Sequence, residues 1–187
     1  MTGAPEPLEF DVGGLVRRSL ASLYSHLVTR PTGRAVRLAI ESQLAEAGEP
    51  SLSLVDFSQV TILDFSCADE VVARLLRRYG GEDRPRDAFF LFRGVQEWHE
   101  EPIQAVLERQ GLAAVAQVAD GTRRLMGTVS TVEAHTWRSV EREGVLHPSK
   151  TAVEIDIGTL EGLAIRRLIF PGPGGDFHAL GRLAELD

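Results

Sequence analysis

Apolar and polar residues alternate in several short stretches of the chain, a pattern typical of strands. Residues 8–12 alternate in this way before a glycine pair, which predicts a first strand. Residues 51–57 predict a second strand, and a short one follows at 60–63. Residues 88–93 are almost wholly apolar, so we expect them to form a buried strand.

Other stretches repeat their apolar residues at the spacing of a helix. Residues 16–27 and 36–47 each carry such a stripe, and Pro31 and Gly33 interrupt the pattern between the two predicted helices. A further helix is predicted over residues 102–111, with its proline in the first turn. Residues 98–101, just before this helix, are polar and aromatic. We expect them to form either a loop that contacts a partner or a solvated helix start.

The clearest helical stripe covers residues 66–79, where apolar side chains recur every three or four positions. Ser66 stands at the start of this helix, and Asp69 follows three residues later in a pattern that caps helix N-termini. Glu70 and Arg74 have the spacing of an ion pair on the outer face. We therefore expect an amphipathic helix packed on a sheet.

Strands alternating with helices predict a mixed α/β fold for residues 8–129. Its last part is a predicted hairpin, since residues 112–119 and 123–129 flank the turn signal Asp120-Gly121. The pattern changes at residue 130, so we predict a second unit over residues 130–187.

This second unit is predicted to be a small helical or winged-helix-like C-terminal module. Ser130 and Glu133 form a capping-box pattern that opens a helix. Three short helices and then a glycine-rich hairpin give the outline of a winged helix. The predicted segments after the first helix are helical stretches at 150–156 and 160–168, a turn at 171–176 and a strand at 177–180.

Composition narrows the class of protein. The chain has 187 residues, a net charge of −7 and a single cysteine, Cys67. One cysteine allows no intrachain disulfide, and no apolar run approaches the length of a membrane span, so we expect a soluble cytoplasmic protein. The negative net charge disfavours nucleic acid as the main partner, although a local cluster of arginines can form a basic surface on a protein that is acidic as a whole.

The sequence contains no motif that is typical of a catalytic site. The five histidines are scattered singly, and no spacing typical of a metal site or a phosphate-binding loop occurs. No nucleophile, base and orienting group are brought together by any known motif. We therefore predict a protein that is not an enzyme and that has no metal and no cofactor.

The segment over residues 53–70 resembles the STAS family, the domain of anti-sigma-factor antagonists. In that family a strand leads into an Asp-x-Ser-x-Val turn, then a short strand, then an Asp-Ser-Ser-Gly sequence that opens a helix. Asp56, Ser58 and Val60 match the first motif, and Asp64 and Ser66 match the second. The resemblance covers roughly residues 8–129.

The match is closer to a STAS-like branch whose signature reads Ser-Phe-Ala-Asp-Glu. Ser66, Ala68, Asp69 and Glu70 fit this signature, and Cys67 replaces the phenylalanine. The upstream sequence over residues 29–34, which contains Arg30 and Arg34, also resembles that branch.

The resemblance implies a regulatory protein whose partner is an anti-sigma factor or a kinase-like ATPase. In the family, the serine at the Ser66 position is phosphorylated by such a partner; the alternative is that Ser66 only caps its helix. The residues expected at the regulatory or partner-binding surface are Arg30, Arg34, Asp64, Ser66, Cys67, Asp69 and Glu70. For Cys67 a reactive thiol and a small buried side chain are both open.

A transcription regulator is the alternative function. Arg166 and Arg167 stand near the end of a predicted recognition helix and are candidate DNA contacts. Residues 130–187, however, hold six basic and nine acidic side chains, so the module has a net charge of −3. A protein-contact or structural role is favoured for it, and a homodimer is a further possibility.

Overall fold

A five-stranded sheet forms the centre of the protein in the computed structural model, which describes residues 6–11, 26–150 and 155–185. In their order across the sheet, its strands are β1 (Glu6–Asp11), β3 (Ser51–Asp56), β5 (Ala88–Val95), β6 (Ala113–Val118) and β7 (Arg123–Gly127). The first four run parallel, and β7 returns antiparallel to β6. Two short strands, β2 (His26–Leu27) and β4 (Ile62–Leu63), pair separately in parallel.

Three helices cover one face of this sheet. They are α1 (Arg30–Glu46), α2 (65–80) and α3 (Glu97–Arg109). The helix α2 consists of an α-helical turn (Phe65–Ala68), a π-helical segment (Asp69–Arg74) and a final α-helical part (Leu75–Gly80). The apolar stripes of the three helices form one core with the sheet, in which Leu75 is fully buried.

Side chains of β5 alternate between two separate cores. Phe90 and Phe92 pack under the three helices, whereas Phe89 and Leu91 face the opposite side of the sheet. A strand that is buried on both faces needs a continuous apolar sequence, which explains the run that predicted it.

The C-terminal part of the chain covers this opposite face. Its elements are α4 (Thr131–Glu143), β8 (Val145–Leu146), α5 (Ile157–Ile165), β9 (Ile169–Pro171), β10 (Phe177–Ala179) and α6 (Leu180–Ala184). The strands form an antiparallel sheet in the order β8-β10-β9. Trp137 and Leu160 share a core with Leu52 and Phe89 of the large sheet. The chain from Thr131 onward is thus a third layer packed on the central sheet.

The mixed α/β class is confirmed. The capping box at Ser130 and Glu133 is also present, with nitrogen-to-oxygen distances of 2.8 and 3.2 Å. The predicted boundary between units at 129 and 130 stays a prediction. Within the described residues, no helix has both the length and the apolar character needed to cross a bilayer.

Three helix starts differ from the prediction, and the first of these is the helix predicted over 160–168, which is α5 at Ile157–Ile165 and is capped by Asp156. The helix α1 begins at Arg30, because Thr29 caps it and Pro31 fits its first turn, where no donor is needed. The helix α3 begins at Glu97, so Pro102 lies inside it. His99 makes this earlier start possible, since its Nδ1 accepts a hydrogen bond from the Gln96 backbone N–H at 3.1 Å.

Two other predicted helices fall mainly outside the described residues. Of the stripe over 16–27, only its end is described, and there His26 and Leu27 form strand β2 rather than helix. Of the stretch over 150–156, residues 151–154 lie outside the described part, and Ile155 and Asp156 precede α5 without being helical.

Candidate functional site

The two segments that resemble the STAS-like branch lie against each other. The helix α1 crosses the start of α2 at Gly33, which has no side chain to separate them. A Cβ atom on Gly33 would lie 2.8 Å from the Cys67 Cα and 3.1 Å from the Glu70 Cβ. Residues 29–34 and 66–70 therefore form one corner of the molecule, which we call the Ser66 corner.

Asp64, not Ser66, caps helix α2. The Asp64 Oδ1 accepts a hydrogen bond from the Cys67 backbone N–H at 2.8 Å. The Ser66 hydroxyl lies in the first turn and donates to the same oxygen at 2.8 Å. The interpretation of Ser66 as the cap is therefore wrong: a carboxylate two residues earlier takes that role, and Ser66 is a half-buried hydroxyl beside it.

Cys67 is a buried thiol in the contact between α1 and α2. Its Sγ donates to the Thr29 carbonyl oxygen at 2.9 Å. Burial, and then the nearby Asp64 carboxylate, raise the pKa of Cys67 to about 12. Cys67 is 0% exposed, so it is not part of a surface that a partner contacts, contrary to its place among the predicted surface residues.

Glu70 is also buried, which corrects its predicted place on the outer face. Its carboxylate is surrounded by arginines from both helices. Arg30 Nη1 lies 3.0 Å away, Arg37 Nε 3.1 Å and Arg74 Nε 3.3 Å. A buried charge is stable only when it is paired. The ion pairs of Glu70 with arginines of both helices therefore hold α1 against α2.

Asp69 lies at the edge of this network and faces α3. Its Oδ2 accepts from Arg30 at 2.6 Å and from Arg74 at 3.2 Å, and its Oδ1 accepts from the Gln110 amide at 2.6 Å. Burial alone would raise the pKa of Asp69, but the hydrogen bonds from the two arginines outweigh it and hold that pKa below its ordinary value.

The Ser66 side chain lines a cavity of about 380 Å³ between α2 and α3. Phe65, Asp69 and Arg30 form its walls on one side, and Ala105, Val106 and Arg109 of α3 form the other. A neighbouring cavity of about 420 Å³ shares Arg30, Asp69 and Arg109 and adds Arg74, Arg77 and Gln110. The two cavities form one cleft. Its arginines, which lie around the Asp69 carboxylate, are Arg30, Arg74, Arg77 and Arg109.

Arg109 is the residue of this cleft that sequence reasoning missed. It is exposed, and no ion-pair partner for it occurs among residues 26–150 and 155–185. Nothing near it in sequence signals a role, because it reaches the Ser66 corner only through the packing of α3 on α2. Arg34, which the resemblance implied, is exposed on α1 and likewise forms no ion pair within the described part.

Exposed apolar side chains lie next to Ser66. Val28, Ile62 and Phe65 are 37%, 46% and 51% exposed. In the pairing of β2 with β4, Ile62 lies opposite His26, and Val28 follows β2 directly. The Asp64 N–H donates to the Leu27 carbonyl oxygen at 2.8 Å, which holds the end of β2 at the start of α2. These three residues are the apolar rim of the Ser66 corner.

Arg166 and Arg167 follow α5 in the C-terminal layer and line neither cavity of this cleft. Arg166 pairs with Glu133 at 2.5 Å and donates to the Thr128 carbonyl oxygen at 2.6 Å. Arg167 pairs with Asp87 at 2.6 Å, and its side chain is 11% exposed. Both guanidinium groups are therefore engaged by the protein itself.

Comparison of the chain with models of protein families, with curated proteins and with solved structures gave no match. The fold and the site define the protein as a three-layer α/β protein. Its Ser66 corner combines the Ser66 hydroxyl, a cleft lined by arginines and an apolar rim.

Proposed function

We propose that this protein is a non-enzymatic regulatory module that binds a protein partner through the Ser66 corner. The proposal includes a STAS-like fold for the core and a cytoplasmic location, which a single buried cysteine favours. The observation that carries it is the position of the Ser66 hydroxyl. Ser66 lines a cleft between arginines, its hydroxyl donates to Asp64, and the exposed Phe65 of the apolar rim lines the same cleft.

The apolar rim supports partner binding. Exposed aromatic side chains such as Phe65 are common at the centres of protein interfaces, where they contribute much of the affinity. The surrounding arginines supply a charged border, and Arg109, which has no ion-pair partner among the described residues, has a charge available for an acidic partner. The combination fits a protein surface better than a reaction centre.

Ser66 is suited to act as the switch of this surface. Phosphorylation would add about −1.5 to −2 charges at the mouth of the cleft. Arg30 and Arg109 line the same cavity and would attract that charge, whereas Asp64, whose Oδ1 accepts a hydrogen bond from the Ser66 hydroxyl at 2.8 Å, would repel it. The modified state therefore rearranges the arginines that the partner contacts. An anti-sigma factor or a kinase-like ATPase is the proposed partner.

Matched baits test the proposal. Wild type, Ser66→Asp and Phe65→Ala are immobilised and exposed to a lysate of the native host, with Ser149→Asp as the control for an added charge at an exposed serine elsewhere. We expect one protein to be retained by wild type and Ser149→Asp and to be depleted from the other two. A protein retained equally by all four baits does not use this corner, and that result contradicts the proposal.

A transcription regulator with a winged-helix C-terminal module is the second candidate. The order of α4, β8, α5 and the hairpin of β9 and β10 favours it. The paired state of Arg166 and Arg167 and the acidic balance of this layer weigh against DNA contacts. A salt titration on random duplex distinguishes the two candidates. Sub-micromolar binding that falls steeply with salt and is lost on changing both arginines would favour the regulator.

A further inference from the structure

A separate cavity lies at the other end of α2. Its volume is about 320 Å³, and it opens between Gly80 at the end of α2, Ala88 and Ala113 at the amino ends of two strands, and the residues that follow α5. A helix of this length places Gly80 about 21 Å from Ser66. The cavity is therefore separate from the one that Ser66 lines, and it meets the neighbouring cavity beside Asp69 at Arg77, which lines both.

The walls of this cavity are mainly apolar and aromatic. The rings of Tyr79 and Phe90 both line it and meet edge to face, with 5.5 Å between their centroids. Leu76 and Leu112 extend the apolar surface. Cavities that bind small molecules usually measure about 300–1,000 Å³ and have such walls with a few polar groups.

The charged groups that line the cavity are all positive. They are Arg77, Arg166 and Arg167, and no aspartate or glutamate is among the described lining residues. Arg166 and Arg167 have carboxylate partners outside the cavity. Arg77 forms no ion pair within the described part of the chain, and it donates to the neutral Gln110 side chain, which in turn donates to Asp69 of the neighbouring cavity. The charge of Arg77 therefore lies at the boundary between the two cavities.

Arg167 is held in an unusual conformation at the cavity wall. Its φ of +62° lies in the left-handed region, which residues other than glycine rarely adopt. Its guanidinium carbon lies 4.7 Å above the centre of the Phe89 ring, and its buried Nε has no hydrogen-bond partner among the residues that the structure describes. Strained residues and unpaired buried donors are concentrated at ligand sites.

We propose that this cavity binds a small amphipathic anion, namely an aromatic carboxylate. The aromatic body packs against Tyr79 and Phe90, and the carboxylate pairs with Arg77. Such a ligand touches α2, the central sheet and the C-terminal layer at once. The inference goes beyond the proposed function because it rests on neither Ser66 nor the apolar rim.

The probe is 2-naphthoate, and neutral 2-naphthol is its matched comparison. Titration calorimetry measures affinity, and the backbone amide NMR signals of Gly80 and Gly111 report the location. We expect saturable binding of 2-naphthoate with shifts at these two amides. Its affinity should exceed that of 2-naphthol by about tenfold, the usual contribution of a charge-assisted hydrogen bond.

Three variants make the test specific. Gly80 lines the cavity, and no described atom lies within 4 Å of an added Cβ. Gly80→Leu therefore adds an apolar side chain at the cavity without a clash, and it should weaken 2-naphthoate at least tenfold. Gly162→Leu is the control, since its position is equally open and does not line the cavity. Arg77→Gln should remove the preference for the carboxylate, and Arg77→Lys should retain it.

Three outcomes would overturn the proposal. They are equal affinity for the two probes, unchanged 2-naphthoate binding in Gly80→Leu, and no saturable binding at millimolar concentration. Equal affinity would refute the preference for an anion, and either of the other two results would refute binding in this cavity.

Discussion

Gly33 provides the sharpest test of the contact between α1 and α2. A methyl group in Gly33→Ala would lie 2.8 Å from the Cys67 Cα and 3.1 Å from the Glu70 Cβ, whereas ordinary contacts begin at 3.4 Å. Overpacking costs about 1–3 kcal/mol, and the higher helix propensity of alanine returns about 1 kcal/mol. Because the nearest obstructing atom is backbone, we expect the upper end of the cost and a net loss of about 2 kcal/mol.

Thermal unfolding measures this loss directly. In a chain of this size each kcal/mol shifts Tm by about 2–4 °C, so Gly33→Ala should lower Tm by about 4–8 °C. Gly162→Ala is the matched control, because no atom of the described residues lies within 4 Å of its added methyl group. The higher helix propensity of alanine should stabilise this variant by about 1 kcal/mol and raise its Tm by about 2–4 °C. A Gly33→Ala variant as stable as wild type would refute the close crossing.

Three further predictions concern stability and titration. Leu75→Ala should cost about 2–5 kcal/mol in a denaturant titration, because Leu75 is 0% exposed, and a neutral change would contradict its place in the core. Asp69 has a lowered pKa in the folded state, so its contribution to stability is present above its unfolded pKa of about 3.9 and is lost as the pH falls through the folded value. Asp69→Asn should therefore lose less stability than wild type on acidification, and parallel curves would exclude this contribution. Cys67, with a pKa of about 12, should resist a thiol reagent at pH 8 until the chain unfolds, and fast labelling of the native protein would argue against its burial.

The strands and the long helix could be predicted because their signals are local. The apolar run of β5 and the stripe of α2 follow directly from the surfaces that they bury. The capping box at Ser130 involves residues three apart, so it too is visible in the sequence. Each of these features depends on neighbours along the chain.

The burial of Glu70 could not be predicted in the same way. Glu70 is spaced like a surface ion-pair residue, and only the crossing at Gly33 buries it against Arg37. The local pattern favours Gly33 as a helix breaker, because glycine has a low helix propensity. Its role is decided instead by the close packing of α1 on α2, which involves residues far apart in sequence.

The position of Arg109 in the cleft depends on a distant contact of the same kind. Arg109 ends α3, and the next residue, Gln110, donates to Asp69 at 2.6 Å across the packing of α3 on α2. This contact brings Arg109 to the cleft beside Asp69. No local pattern encodes it.

The affinity of the purified partner for Ser66 variants tests the central claim most directly. Titration calorimetry compares wild type, Ser66→Ala and Ser66→Asp, with Ser149→Asp as the control, after thermal unfolding has verified that each variant is folded. The account predicts that Ser66→Asp changes the affinity tenfold or more, equivalent to about 1.4 kcal/mol, while Ser149→Asp leaves it unchanged. Equal affinities for wild type and both Ser66 variants would contradict the account and leave Ser66 as a hydroxyl that only supports the cap at Asp64.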